Sequence, residues 1–183
     1  MRALRHQRAP ELADMSLEAM MERYTKAFKD VVPDWKAFAD SQIEGKRRAQ
    51  HRLIGGGGSG KHDDPDVIPA GAFTLSVMFL PPGQGGSAHT HEVEEVFFVL
   101  TGVLTVFIED EAGRRISKGI GPWECVCCPA GVPHGFLNEG VEGAYFQTLI
   151  GSGRPGAVGF TDSVIYKAEE EKLSAQQKKT ADL

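Results

Sequence analysis

The stretch Gly83-Gln84-Gly85-Gly86-Ser87-Ala88-His89-Thr90-His91-Glu92-Val93-Glu94-Glu95-Val96-Phe97-Phe98-Val99-Leu100-Thr101-Gly102 sets His89 and His91 two positions apart, with Glu95 following. Side chains alternate between the faces of a β-strand, so the two imidazoles point the same way and form one wall of a possible metal site. Glu95 opens the apolar run Val96 to Leu100, which reads as a buried strand ending at Gly102. A carboxylate at the head of such a strand is costly unless a cation neutralises it.

A third histidine stands in Pro129-Ala130-Gly131-Val132-Pro133-His134-Gly135-Phe136-Leu137-Asn138. Pro-Ala-Gly is turn chemistry, and it places His134 at the start of a returning strand. The two segments together resemble the cupin family. Its first motif, G-x5-H-x-H-x3-E-x6-G, is met throughout by Gly83, His89, His91, Glu95 and Gly102. Its second, G-x5-P-x-G-x2-H-x3-N, is met at Pro129, Gly131, His134 and Asn138, with Trp123 in place of the opening glycine. Gly121 lies two residues earlier, which predicts an altered or longer turn there. The resemblance implies an antiparallel jelly-roll barrel and a metal held by His89, His91, Glu95 and His134.

Length and composition bound the remainder. The chain has 183 residues, 41% of them hydrophobic and 25% charged, which suits one globular domain with extensions. A net charge of −5 gives no electrostatic reason to expect nucleic acid or an anionic membrane as partner. The basic residues Arg2, Arg5 and Arg8, and later Lys46, Arg47, Arg48 and Arg52, read as solvated helix or tail. Cys125, Cys127 and Cys128 are too close together for a disulfide framework, and read as small buried hydrophobes in a reducing compartment. Alternation puts Cys125 and Cys127 on one face and Cys128 on the other, and a thiol facing a metal cavity could be activated. No stretch is apolar enough to span a bilayer and no secretory signal pattern opens the chain, so the expectation is a cytoplasmic protein.

Three regions follow: a helical extension with a glycine-rich loop over residues 1–70, a barrel over 71–160 and a tail over 161–183. Residues 1 to about 14 read as a loose arm. Leu17, Met20, Met21, Tyr24 and Phe28 recur at helical spacing and predict a helix ending before Pro33. Asp34 caps a second predicted helix carrying Trp35, Phe38, Ala39 and Ile43. The loop Gly55 to Gly60, followed by Lys61 and His62, is G-x4-G-K without the Ser or Thr that a phosphate-binding loop needs, and reads as a flexible loop or lid. From Ala72 the chain reads as β: Phe73, Leu75, Val77 and Phe79 alternate with Thr74, Ser76, Met78 and Leu80. Further strands are predicted at Val103 to Ile108, Glu124 to Cys128 and Ala144 to Ile150, giving an all-β core with a short C-terminal helix or frayed tail.

Three imidazoles and a carboxylate suit Fe(II), Mn(II), Ni(II), Cu(II) or Zn(II) without choosing among them. The resemblance implies a non-haem Fe(II) dioxygenase-like enzyme, with Glu95 as ligand and catalytic group, acting on a small aromatic or enolisable substrate. Two alternatives stand beside it: a non-redox isomerase, decarboxylase or lyase of a sugar acid or similar metabolite, and a small-molecule-binding barrel without turnover. Phe97 and Phe136 fall two residues from Glu95 and His134 and are candidate cavity-lining residues. Neither motif contains an Arg or Lys to anchor a substrate carboxylate. The expected partners are a small-molecule substrate and a second copy of the chain in a homodimer.

Overall fold

The computed structural model describes residues 6–181. Its strands are β1 (Ala49–Ile54), β2 (Thr74–Leu80), β3 (His89–Thr90), β4 (Glu95–Thr101), β5 (Leu104–Glu109), β6 (Arg115–Ile120), β7 (Cys125–Cys128), β8 (His134–Leu137), β9 (Ala144–Ile150) and β10 (Gly159–Phe160). The α-helices are α1 (Leu17–Arg23) and α2 (Ser163–Ala181). Two five-stranded antiparallel sheets, ordered β1-β2-β9-β4-β7 and β10-β3-β8-β5-β6, face one another across a single core. This is the jelly-roll architecture read from the sequence.

Period-two alternation decides what enters that core. On β4, Glu95, Phe97 and Val99 are buried while Val96, Phe98 and Leu100 are less so. Phe97 meets Phe136 from the opposite sheet and Phe146 from β9 at ring-centroid distances of 5.3 and 5.8 Å, in edge-on contacts suited to aromatic quadrupoles. Met78, Leu80, Leu104, Val106 and Ile120 complete the cluster. On β2 the core face is Thr74, Ser76, Met78 and Leu80. The opposite face, with Val77 and Phe79, is covered instead by Trp35, Phe28 and Tyr145. The turn into β5 needs a glycine: Gly102 has φ +75°, and a Cβ there would meet the Ala144 backbone at 2.9 Å.

The extension departs from its expected form. α1 stops at Arg23 because its apolar positions find no core: Leu17 and Met21 are 70% and 71% exposed. No second α-helix follows Asp34. That residue pairs its backbone with Gln50 and its carboxylate with Arg52 and Lys61 at 2.9 and 2.7 Å, so the segment runs as an extended strap with one 3-10 turn at Ala39–Gln42. Nor is 1–70 outside the sheets, since β1 pairs with β2 from Leu75 to Phe79. β6, β10 and α2 extend what the patterns anticipated. The first five residues, with Arg2 and Arg5, lie outside the described residues, as do Asp182 and Leu183.

The glycine loop is packed rather than open. Gly55 to Ser59 are buried, Gly57–Ser59 form a 3-10 turn closed by the Ser59 hydroxyl donating to the Gly56 carbonyl at 2.6 Å, and a Cβ on Gly60 would collide with Leu173 of α2. Its lack of side chains lets the backbone lie flat against the barrel mouth, where a larger residue would not fit. Lys61 is committed to Asp34 and no helix follows, so the loop lacks the parts of a phosphate site. α2 is tied down next to it by Glu169, which is fully buried, accepts from the Ala39 N–H at 2.7 Å and pairs with Lys172.

The turn before β7 is neither longer nor opened. Trp123 occupies the glycine position of the motif and takes the glycine conformation, φ +70°, the single positive φ among described non-glycine residues. Its N–H donates to the Val99 carbonyl at 2.9 Å, so the strand pairing overrides the preference of the side chain, which is 78% exposed. On β7 only Cys128 is buried. Cys125 and Cys127 face out from an edge strand, where no further layer covers them.

Candidate metal centre

Each candidate ligand sits where a strand begins or ends, so its backbone is fixed by a ladder while its side chain reaches past the core. His89 pairs in register with His134 across β3 and β8, His91 follows one alternation later, and Glu95 opens β4 in the opposite sheet. The ligand atoms of all four lie within 4.8 Å of one another and all four residues are buried. Nε2 of His134, His89 and His91 converge on the same oxygen, Glu95 Oε2, at 3.1, 3.3 and 3.4 Å.

Hydrogen bonding on the far side of the rings shows what this convergence requires. His89 Nδ1 faces the Ser87 carbonyl and His134 Nδ1 the Val132 carbonyl, each at 2.8 Å. A carbonyl only accepts, so each Nδ1 carries the proton, and in a neutral ring Nε2 is left with a bare lone pair. Two such lone pairs then point at a carboxylate oxygen. Acceptors do not stabilise acceptors, and a cation between them satisfies all of them at once; the backbone contacts are the usual way of orienting imidazole ligands. Three neutral imidazoles and one carboxylate fit a divalent ion of borderline softness.

The protonation tendencies of His89, His91 and Glu95 are tightly linked. Burial would raise the Glu95 carboxyl, but His91, His134 and His89 outweigh it and hold it well below the usual carboxylate range. His89 goes down because burial dominates, whereas the nearby Glu95 and Glu92 charges overcome burial at His91 and raise it. The two directions differ since His89 feels both other imidazoles, whereas His91 also feels Glu92. Cys128, directly across the ladder from Glu95, is pushed up to about 12 by burial and by that carboxylate, so it is a protonated thiol and not an activated one.

A cavity of about 30 Å³ opens beside the cluster. Its wall contains His89, His91 and Glu95 together with Phe38, Arg48, Gln50, Met78 and Phe136. Phe97 stands behind Phe136 and within 5.9 Å of the His134 ring, fully buried in the core and not on the wall.

Arg48 and Gln50 are the residues that motif reading passed over. Far from being a solvated basic residue, Arg48 is 4% exposed. It pairs with buried Asp40 at 2.6 Å and lies over the Phe38 ring at 4.6 Å. The signal was the period-two spacing of Arg48, Gln50 and Arg52, obscured by the adjoining Lys46-Arg47-Arg48 charge run. Asn138 of the second motif has a scaffolding part: its amide donates to the Leu80 and Glu142 carbonyls at 2.9 and 2.7 Å and holds two turns together.

Residues 76–150 match the family model described as the cupin domain. Among solved structures the chain is similar to the polyketide cyclase RemF from Streptomyces resistomycificus, at 21% identity and a TM-score of 0.57 over 82% of this chain and 96% of that one. It is also similar to Peruvianin-I, a cysteine peptidase from Thevetia peruviana latex (17%, TM-score 0.56, 84% and 85% covered). A third likeness is to a variant of oxalate decarboxylase from Bacillus subtilis (19%, TM-score 0.55), where 84% of this chain corresponds to 36% of that one. No curated protein matches the chain. At such identities the likenesses speak for the fold alone, and they carry different chemistries on it. Two motifs placed by two facing sheets, and the cupin-domain match over the strands that bear most of them, identify residues 76–150 as a cupin domain.

Proposed function

We propose that the chain is a metal-dependent oxidoreductase of the dioxygenase type, acting on a small enolisable substrate. The observation that carries this reading is the convergence of three imidazole nitrogens on Glu95 Oε2 at the wall of a cavity. His89, His91, Glu95 and His134 would hold the ion, Fe(II) first and Mn(II), Ni(II), Cu(II) or Zn(II) otherwise. When bound, such an ion supplies Lewis acidity and, as Fe(II), access to dioxygen chemistry. The chain's own residues do the rest. Ser87 and Val132 fix the rings through their carbonyls, and Glu95 balances the charge. Met78, Phe136 and Ile150 supply the apolar part of the cavity wall, which strengthens electrostatic interactions beside it. A cavity of about 30 Å³ has room for about two water molecules. That favours a substrate of a few heavy atoms over an aromatic ring, which would need the wall to move.

A second reading has its own support. The buried Arg48–Asp40 pair brings a guanidinium to the same wall, where it could stabilise an enolate without redox chemistry, as an isomerase or decarboxylase requires. Oxygen consumption separates the two. The Fe(II)-loaded protein is expected to take up O₂ with small diketones or hydroxyketones, and Glu95→Gln to reduce turnover more than metal content. No uptake with any of these, together with anaerobic interconversion of hydroxy or keto acids by a Zn(II)- or Mn(II)-loaded preparation, would replace the first reading by the second.

A further inference from the structure

Beside the ligand cluster, the wall of the same cavity carries polar residues whose hydrogen bonds are incomplete. Gln50 on β1 is 1% exposed. Its Nε2 donates to the Gly56 carbonyl at 3.3 Å and to Ser76 Oγ at 3.1 Å. The Gly56 carbonyl can only accept, so the amide is held with Nε2 toward the glycine turn, and exchanging its two ends would set one acceptor against another. The turn also closes on that end, for a Cβ at Gly57 would stand 2.7 Å from Nε2. Oε1 is left buried with no protein partner. A buried acceptor in that state is rare and calls for an explanation.

Arg48, two residues earlier on the same face of β1, does not fill the gap. Its Nη2 is taken by Asp40, and its Nη1 by the carbonyls of Lys46 at 3.1 Å and Gly85 at 3.5 Å. Asp40 neutralises its charge, and the Ser87 N–H completes that carboxylate at 2.9 Å. The Arg48–Asp40 pair is therefore neutral overall, and the Gln50 Oε1 acceptor beside it matches a ligand that brings a hydrogen-bond donor more closely than one that brings a second carboxylate.

We propose that Gln50 is a substrate-recognition residue, its Oε1 accepting a hydrogen bond from a hydroxyl or N–H of a small oxygen-chelating ligand whose oxygens face His89, His91, Glu95 and His134. This rests on the metal reading above and narrows its substrate class to chelators that carry a donor beside the chelating oxygens, such as hydroxyketones. A site built around an unpaired buried acceptor discriminates strongly against the analogue lacking the donor.

Acetohydroxamic acid and N-methylacetohydroxamic acid are a matched pair of small O,O-chelators, of which only the first has the N–H. Their binding to Zn(II)-loaded protein, measured by isothermal titration calorimetry beside the zinc content of each sample, tests the assignment without turnover. Wild type is expected to prefer the N–H compound by about tenfold. Gln50→Met, which removes the acceptor while keeping the length of the side chain, should lose the preference at unchanged zinc content. Equal affinities in wild type, an undiminished preference in Gln50→Met, or no binding of either compound to zinc-loaded protein would each overturn the proposal and leave the metal reading standing. If Gln50→Met does not fold, the wild-type ratio decides. Failure of wild type to retain zinc would overturn both.

Discussion

Glu95 offers one carboxylate oxygen to three imidazole nitrogens, and Arg48 offers its guanidinium to Asp40; both arrangements bury charge beside the same cavity, yet they are balanced differently. At Glu95 a cation would complete the compensation, since two of the facing nitrogens carry no proton when their rings are neutral. At Asp40 the chain supplies it. Burial alone would raise the Asp40 carboxyl, but Arg48 and the Ser87 N–H bring it below its ordinary value. Asp40→Asn would strand the guanidinium at 4% exposure, and loss of one partner from a buried pair costs about 3–5 kcal/mol. The pH dependence has a definite sign. A carboxyl with a depressed folded pKa contributes stability that is complete above its unfolded pKa and is lost as pH falls through the folded one. Urea unfolding should therefore separate wild type from Asp40→Asn fully at pH 7 and progressively less below about pH 4. A gap that stays constant across this range would show that the pair does not act through charge.

At the scale of elements, what could be read in advance was what depends on neighbours in sequence. His89 and His91 share a face because alternation is local, Glu95 heads an apolar strand, and Pro129 to Gly131 turn the chain before His134. The strap from Asp34 to Gln42, strand β1 and the fit of α2 against it were illegible for the opposite reason. Each is held by distant partners: Asp34 by Lys61 and Arg52, Arg48 by Asp40, Glu169 by Ala39. A run such as Lys46-Arg47-Arg48 carries no sign that its last member turns inward. Likewise the helical spacing of Leu17 and Met21 says nothing of whether a surface exists to cover them. The turn before β7 shows the two levels in conflict, because ladder pairing forces Trp123 to φ +70°. The left-handed region costs an L-residue about 1–2 kcal/mol, while glycine gives back part of that relief through its unfolded-state entropy. Trp123→Gly should thus stabilise the protein by about 0.5–1 kcal/mol, seen as a melting temperature higher by about 1–4 °C. An unchanged or lower melting temperature would mean that the Trp123 contact with Phe98 at 6.1 Å outweighs the strain.

For the molecule as a whole, two sheets supply the opposing walls and the chain's own extensions close the end where the ligands gather. The glycine turn at Gly57–Ser59, Phe38 on the strap and Val158 ahead of β10 all reach the cavity. α2 fastens the strap through Glu169 and Lys172, and Lys172 also donates to the Ala37 carbonyl. None of the described helices is long and apolar enough to cross a membrane. Such a barrel would hold a cation in a nearly water-free site, and an ion that binds the native state alone stabilises it by about 2.7 kcal/mol at a concentration 100 times its dissociation constant. The most direct test is the divalent metal content per chain, by elemental analysis, of purified wild type, His91→Ala and His134→Ala. About one ion per chain in wild type and a loss of most of it in both variants is the predicted result, whereas a metal-free wild type, or variants that retain the wild-type content, would contradict it.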